Sequence, residues 1–391
     1  MENHAPIDRA ALEPVLAPFG RSVSLPADAY TSAELFAWER EHFFAGSWVC
    51  VGRTKDLNPA QGCAQVRVGG ESFVLTSDGS GAVGLFHNVC RHRGHELLAE
   101  GERREGRVLQ CPYHSWVYGL DGSLRGAPHF SENEGFDRAE YPLVPVRMHE
   151  WNGWTFVNAG GTAPDFGAHV GSLDRFVAPH RVEDLVVAAR HDYEIAANWK
   201  IVTENYHECY HCPTIHPELC KVSPPNSGFN FEPDGAWVGG TMDFEPGAET
   251  MSLSGRSDVG AFPWLSDELR AQVLYIGLFP NLLISLHPDY VMTHRFEPLA
   301  PDRTRIECLW MFAPEAVARD DFDPGYAVEF WDITNRQDWS ACEGVQRGAA
   351  SRGYRQGPLS MREDAVYDFV TMAARGYLDG VAQSSGRNTV I

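Results

Sequence analysis

Apolar residues recur at helical spacing over 27–44 (ADAYTSAELFAWEREHFF), and Thr31 and Ser32 offer an N-cap, so the pattern predicts a helix there. From 47 to about 157 the texture changes. Short β-type runs (SWVCVGR, AQVRV, SFVLTS, GLFHNV, RVLQC, WVYGL, WTFVN) alternate with Asn-Pro, Gly-Gly and Asp-Gly turns, which predicts a small antiparallel β domain. Ala159-Gly160-Gly161-Thr162-Ala163-Pro164 has loop chemistry and reads as a domain boundary. Beyond it, 168–185 reads helical, 187–196 as a strand and 197–212 as a helix running into a Pro-rich loop. Strand-like runs return at 236–243, 273–287, 289–297 and 304–312, and 322–350 and 362–378 close the chain with helical periodicity. The expected class is α+β. Its parts are an N-terminal helical segment (1–45) packing on the C-terminal domain, a β domain (46–158) and a C-terminal domain (165–391) of antiparallel sheet and long helices.

Composition narrows the function. With 32 Lys and Arg against 53 Asp and Glu, the 391-residue chain carries a formal charge of −21, which argues against binding nucleic acid or an anionic membrane. The longest apolar stretch, Val273–Leu286, is interrupted by Pro280 and Asn281 and is too short to span a bilayer. The N-terminus lacks a basic start followed by an apolar run, and nine irregularly spaced cysteines fit thiols or metal ligands better than a disulfide framework. The expectation is a cytoplasmic globular protein.

Two constellations carry chemistry. In NVCRHRGHELLAEGERREGRVLQCPYHSW, Cys90 and His92 are one residue apart and Cys111 and His114 two apart, each pair ending a strand-like run. Two cysteines on one iron and two histidines on the other make a Rieske [2Fe–2S] centre, and two hairpin tips could converge on such a cluster. A structural zinc site of two cysteines and two histidines is the alternative, but zinc loops usually space their first ligands more widely. In NWKIVTENYHECYHCPTIH, His211 and His216 flank Pro213, which is read as ending a helix so that His216 folds back, with Glu208 on the face of His211. Two histidines need a carboxylate to make a facial triad for non-haem Fe(II). Asp332, Asp338 and Glu343 are the downstream candidates for that carboxylate.

The C-x-H-R-G-H and C-P-Y-H-S-W halves, followed by the N-W-K…E-N-Y…E-x-Y-H-x4-H block, make the chain resemble the α subunit of the Rieske non-haem iron oxygenases, the aromatic-ring-hydroxylating dioxygenase family, over roughly 30–380. The resemblance implies an N-terminal Rieske domain, a C-terminal helix-grip catalytic domain, and a homotrimer in which one subunit's cluster feeds the neighbour's iron. It further implies that Cys90, His92, Cys111 and His114 hold the cluster, and that His211 and His216 hold the mononuclear iron with Asp338, which matches the family's Q-D-W-x-x-x-E-x-x-Q pattern. Glu208 falls where the family places a carboxylate bridging the two centres, and Asn205 matches a position near the iron. Most ring dioxygenases have Asp where this chain has Glu208, whereas Glu is similar to the carnitine and betaine oxygenase branch. That branch implies O2-dependent hydroxylation leading to N-demethylation of a quaternary amine. The competing readings are mono- or dihydroxylation of an aromatic acid and, from a different class, a non-catalytic Rieske electron carrier.

Other signals are set aside. Gly79, Gly81 and Gly84 form a GxGxxG, but it follows one strand-like run and precedes another, so it reads as a hairpin turn rather than a nucleotide loop. Without a flavin or nicotinamide motif, electrons must come from a separate NAD(P)H-dependent reductase of flavin or ferredoxin type. Cys209 and Cys212 form a C-x-x-C without thioredoxin-like context and are read as packing thiols. Arg91, Arg93 and His95 read as bracing residues beside the cluster loops.

Overall fold

The computed structural model describes residues 4–57, 61–79 and 83–380. The chain divides into two compact units, one formed by Phe44–Ala163, the other joining the chain before Phe44 to the chain from Pro164 onward.

The first unit is built of three small antiparallel sheets. Strands β1 (Val49–Arg53), β2 (Gly62–Val68), β3 (Glu71–Ser77), β4 (Val83–His87), β5 (Arg103–Glu105), β6 (Val108–Gln110), β7 (Val117–Gly119), β8 (Leu124–Gly126), β9 (Arg147–Trp151) and β10 (Trp154–Asn158) pair in the orders β1-β10-β9, β4-β3-β2-β5 and β6-β7-β8. Gly69 and Gly70, both at positive φ, make the two-residue turn joining Val68 to its partner Glu71, a conformation that glycine adopts at little cost. Strands β5, β8 and β9 escaped the sequence pattern because they are short or, like RMHEW, mostly polar and exposed. β3 and β4 pair antiparallel, Ser77 with Val83, so the GxGxxG lies at a strand-to-strand connection, although Gly81 itself falls outside the described residues.

The second unit holds a six-stranded antiparallel sheet. Its strands are β11 (Val186–Ile195), β12 (Trp237–Asp243), β13 (Gln272–Leu278), β14 (Leu282–Leu286), β15 (Val291–Ala300) and β16 (Arg303–Phe312), in the order β11-β16-β15-β14-β13-β12. The apolar run 273–287 becomes two strands because Pro280, which has no N–H for the ladder, sits in the turn between them. Val273, Met292, Cys308, Trp310 and Phe312 on one face form a core with Ala327, Phe330 and Trp331 of the 25-residue helix Gly325–Ala349. The closing helix Asp364–Asp379 packs against β12.

Three helical expectations are corrected. Residues 168–185 form a string of short turns, broken where Gly171 takes φ +52 and where Pro179 starts a new turn. The segment 27–44 is interrupted: Ser32 Oγ accepts from Leu35 N at 3.2 Å and caps Ala33–Glu39, with a separate turn before it. The helix expected over 197–212 spans only Trp199–Tyr206, and Pro213 sits in the first turn of a new helix, Cys212–Ile215, where its missing N–H costs nothing.

The helix Trp199–Tyr206 is anchored by buried charge. Asn198 caps it by accepting from Lys200 N at 3.0 Å. Lys200 Nζ meets Glu39 Oε1 at 2.6 Å with both side chains fully buried, and Trp199 Nε1 and the Tyr377 hydroxyl donate to the same carboxylate. One turn on, Tyr30 donates to both oxygens of Glu204, at 2.9 and 3.0 Å. Breaking such a pair on one side strands the remaining charge, so this network ties the helix to Glu39 and Tyr30 of the N-terminal segment and to Tyr377 of the closing helix.

Candidate metal centres

In the first unit, Cys90 and His92 lie on the loop between β4 and β5, and Cys111 and His114 on the tip between β6 and β7. The first loop is tied by Cys90 N to His95 O at 2.9 Å and Gly94 N to Cys90 O at 3.0 Å; the second by Cys111 N to Trp116 O at 2.8 Å and Ser115 N to Cys111 O at 3.1 Å. Asn88 braces the first loop from inside, accepting from Leu97 N and Leu98 N at 3.0 Å and donating to Leu98 O at 2.7 Å. Both thiols are free and buried. The imidazoles of His92 and His114 lie 4.6 Å apart between ring centres, and His92 stacks on Trp116.

Polar atoms here await partners. His92 Nδ1 is buried without a hydrogen bond, an arrangement that costs free energy unless something binds it. Burial, then the neighbouring His114 and Arg93, holds the His92 imidazole below its ordinary pKa, in the neutral form a metal takes. The Tyr118 hydroxyl lies 3.4 Å from Cys90 Sγ and accepts from Arg91 N at 3.0 Å, steadying the loop at the sulfur. Two buried thiols and two neighbouring imidazoles, one of each on each loop, fit a cluster with one all-sulfur and one all-nitrogen iron. Sequence reasoning missed Asn88 and Tyr118 because neither is a ligand type.

In the second unit, His211, His216 and Asp338 bring one ligand atom each within 4.8 Å of one another, the metal-type grouping of three such residues among the described residues. His216 Nε2 lies 2.8 Å from Asp338 Oδ1, His211 Nε2 3.4 Å from the same oxygen, and the two Nε2 atoms 3.2 Å apart. The opposite ring nitrogens are held from behind. Glu208 Oε1 takes His211 Nδ1, and Gln337 Oε1 lies 2.7 Å from His216 Nδ1 while Gln337 Nε2 donates to Glu218 Oε2 at 3.3 Å. With each Nδ1 held from behind, each Nε2 turns to the shared point, where a bound metal would replace any proton it carries. Burial pulls the His211 imidazole down, but the Asp338 and Glu208 carboxylates outweigh it and hold its pKa at about 9. Two imidazoles and one carboxylate on one side of an open cavity are the donor set of a non-haem Fe(II) site with free positions.

The expected helical face shared by Glu208 and His211 is not how they meet. The helix has ended at Tyr206, and Glu208 reaches His211 through a tight loop in which Oε2 also accepts from His211 N at 3.1 Å. Cys209 and Cys212 are joined by a disulfide, which corrects the reading of two packing thiols: the loop brings their Cα atoms to 4.9 Å, inside the reach of a bond. His207 packs beneath this loop, its Nε2 against Gly277 of β13 where a Cβ would lie 2.2 Å away, so only glycine leaves it room. Burial lowers the His207 imidazole to about 3, and it stays neutral.

The other downstream acids are engaged elsewhere. Asp332 accepts from the Tyr193 hydroxyl at 2.7 Å and Arg336 Nε at 2.8 Å, and Glu343 accepts from Ala196 N at 3.1 Å. The cavity beside the three ligand atoms has a volume of about 540 Å³. Its walls include Asn205, Tyr206, Tyr275 and Trp331, and Arg362 and Asp364 also line it. Gln337 and Glu218 make contacts behind His216 that the sequence reading did not assign. The Q-D-W pattern was the available signal for Gln337, since it places a side-chain amide directly before the ligand carboxylate.

Comparison with known proteins bears on both units. Residues 47–145 match the Rieske [2Fe-2S] domain, and 182–378 match the ring hydroxylating alpha subunit (catalytic domain). The chain is 30% identical over 400 residues to the glycine betaine monooxygenase oxygenase subunit of Chromohalobacter salexigens, covering 92% of this chain and 88% of that one. It is also 30% identical over 336 residues to the carnitine monooxygenase oxygenase subunit of Escherichia coli, covering 85% and 86%. Among solved structures, a quaternary ammonium Rieske monooxygenase superposes with a TM-score of 0.77 at 26% identity, covering 96% of this chain and 99% of that one. In the described residues, no helix is long and apolar enough to cross a membrane. Both domain matches lie in one chain, and the relatives share most of its length: the protein belongs to the Rieske non-haem iron oxygenases, as their oxygenase component, with a [2Fe–2S] cluster and a mononuclear iron as cofactors.

Proposed function

We propose that this oxygenase N-demethylates a small quaternary amine of the betaine type. The observation that carries the reading is the convergence of His211, His216 and Asp338 on a cavity walled by Tyr206, Tyr275 and Trp331. Aromatic faces attract a cationic head, and buried carboxylates nearby add to that field. The two relatives named for glycine betaine and carnitine oxidation support the same substrate class.

In this reading Cys90, His92, Cys111 and His114 hold the cluster in the unit Phe44–Ala163, and His211, His216 and Asp338 hold Fe(II) in the other. Bound there, the iron supplies a site at which O2 and two externally supplied electrons oxidise a C–H bond. The balance is one methyl, one O2, two electrons and two protons giving an N-hydroxymethyl group and water. That group then releases formaldehyde and the tertiary amine. Glu208 orients His211, Gln337 orients His216, and the aromatic walls seat the cationic head so that a methyl faces the ligand set; Asn205 lines the same space. We assign Glu208 a second role at the boundary between subunits of a homotrimer, where it links one copy's cluster to its neighbour's iron. Electrons come from a separate NAD(P)H-dependent reductase of flavin or ferredoxin type, in the cytoplasm, with no nucleic-acid or membrane partner.

The test is NADH-driven oxygen uptake with a matched reductase, screened over betaines and aromatic acids. One formaldehyde per O2 with a betaine is the expected result. Uptake with an aromatic acid and no formaldehyde overturns the reading in favour of ring hydroxylation.

A further inference from the structure

The cavity has two chemically different ends. Toward the ligand set it is aromatic and acidic, with Tyr206, Trp331, Glu208 and Asp338. The exposed Arg362 lines the same cavity, the sole Lys or Arg among the described residues that do so. Its Nη1 donates to Asn226 Oδ1, a neighbour in the cavity wall. Among the described residues no carboxylate pairs with this guanidinium, although two acids follow it in sequence. Asp364 accepts from Asn230 Nδ2 at 2.5 Å, and Glu363 accepts from Ser360 N at 2.6 Å. Among the described residues, this exposed guanidinium therefore lines the cavity without an ionic partner, in a chain where acids outnumber bases 53 to 32. Held on one nitrogen by a neutral amide, it keeps its remaining donors for a planar, bidentate anion.

Resting on the quaternary-amine reading, the geometry points to Arg362 as the specificity residue that reads the carboxylate of a zwitterionic amine, with the ammonium head directed inward. The two ends then sort substrates by their tails. A carboxylate tail gains a charge-assisted pair with Arg362, whereas a neutral hydroxyl tail meets an unpaired cation and gains much less. The aromatic wall treats both heads alike, so discrimination falls to Arg362. Because the pair forms at an exposed side chain, added salt weakens it.

The experiment compares glycine betaine and choline, which share a trimethylammonium head and differ in the tail, on the iron-loaded wild type, Arg362→Gln and Arg362→Lys. Binding is read by titration calorimetry, and KM and kcat by formaldehyde release. Arg362→Gln is expected to lower the preference for betaine over choline about tenfold, through KM and Kd rather than kcat, with iron content retained. Arg362→Lys keeps the charge without the fork and recovers part of the preference. Equal losses for both amines, or an unchanged preference, overturn the role of Arg362 while leaving the quaternary-amine reading in place. A wild type that takes neither amine overturns that reading and this inference with it.

Discussion

Cys90, His92, Cys111 and His114 are delivered by two short loops of one unit, each closed by its own backbone bonds, whereas His216 and Asp338 meet across 122 residues of chain. The difference lies in what each set demands of the fold. A C-x-H or C-x2-H tip carries its geometry locally, so spacing alone displays the chemistry. A facial triad needs its third ligand from a distant element, and there only packing decides. Asp332, Asp338 and Glu343 all lie on the helix Gly325–Ala349. At about 100° per residue Asp332 and Glu343, eleven positions apart, share one side of the helix, and Asp338, roughly 120–140° round from both, is the one that meets His211 and His216.

Removing one proposed ligand from each unit gives the largest expected effects. Asp338→Ala should abolish turnover and mononuclear iron while the visible absorbance of the cluster survives. Cys111→Ser should do the reverse to the metals, bleaching the chromophore and sparing the iron bound at His211 and His216. Metal analysis with absorbance spectroscopy checks both, and full activity in Asp338→Ala would remove that residue from the site.

A smaller effect separates ligands from the groups behind them. Gln337→Ala leaves every ligand in place but frees His216 Nδ1, and should weaken iron binding by roughly 10- to 100-fold with the cluster unchanged. Iron affinity measured by competition with a chelator decides it; an affinity equal to wild type would mean that the helix alone positions His216.

The smallest effect concerns the framework. Burial raises Glu204 to about 7, against the opposing pull of Tyr30 and Lys200. A carboxyl whose native pKa lies above its ordinary value of 4.5 keeps a proton that the unfolded chain has released. Stability therefore falls as pH rises between about 4.5 and 7 and is level above that, by up to about 3 kcal/mol for this group. Glu204→Gln should flatten that part of the profile, seen as a smaller difference between urea unfolding at pH 5 and at pH 8. An unchanged profile would locate the pH dependence elsewhere.

Much of this was legible in the chain before its fold. Period-2 runs marked most strands of the β unit, and the long closing helices announced themselves by periodicity. What the pattern hid was decided by tertiary packing or by one residue's backbone. Pro213 starts a helix where it was expected to end one, and Gly171 breaks a helical run. Cys209 and Cys212 pair because a loop, not a helix, joins them. Gln337 and Arg362 were invisible as functional residues because a lone amide and a lone arginine have no spacing signature; only contact with His216 and with the cavity gives them meaning.

The metal inventory of anaerobically purified protein tests the two-centre arrangement most directly. Iron and acid-labile sulfide, quantified per chain, should come to about three irons and two sulfides, with one iron lost in Asp338→Ala. Zinc in place of iron, or two irons per chain in the wild type, would contradict it.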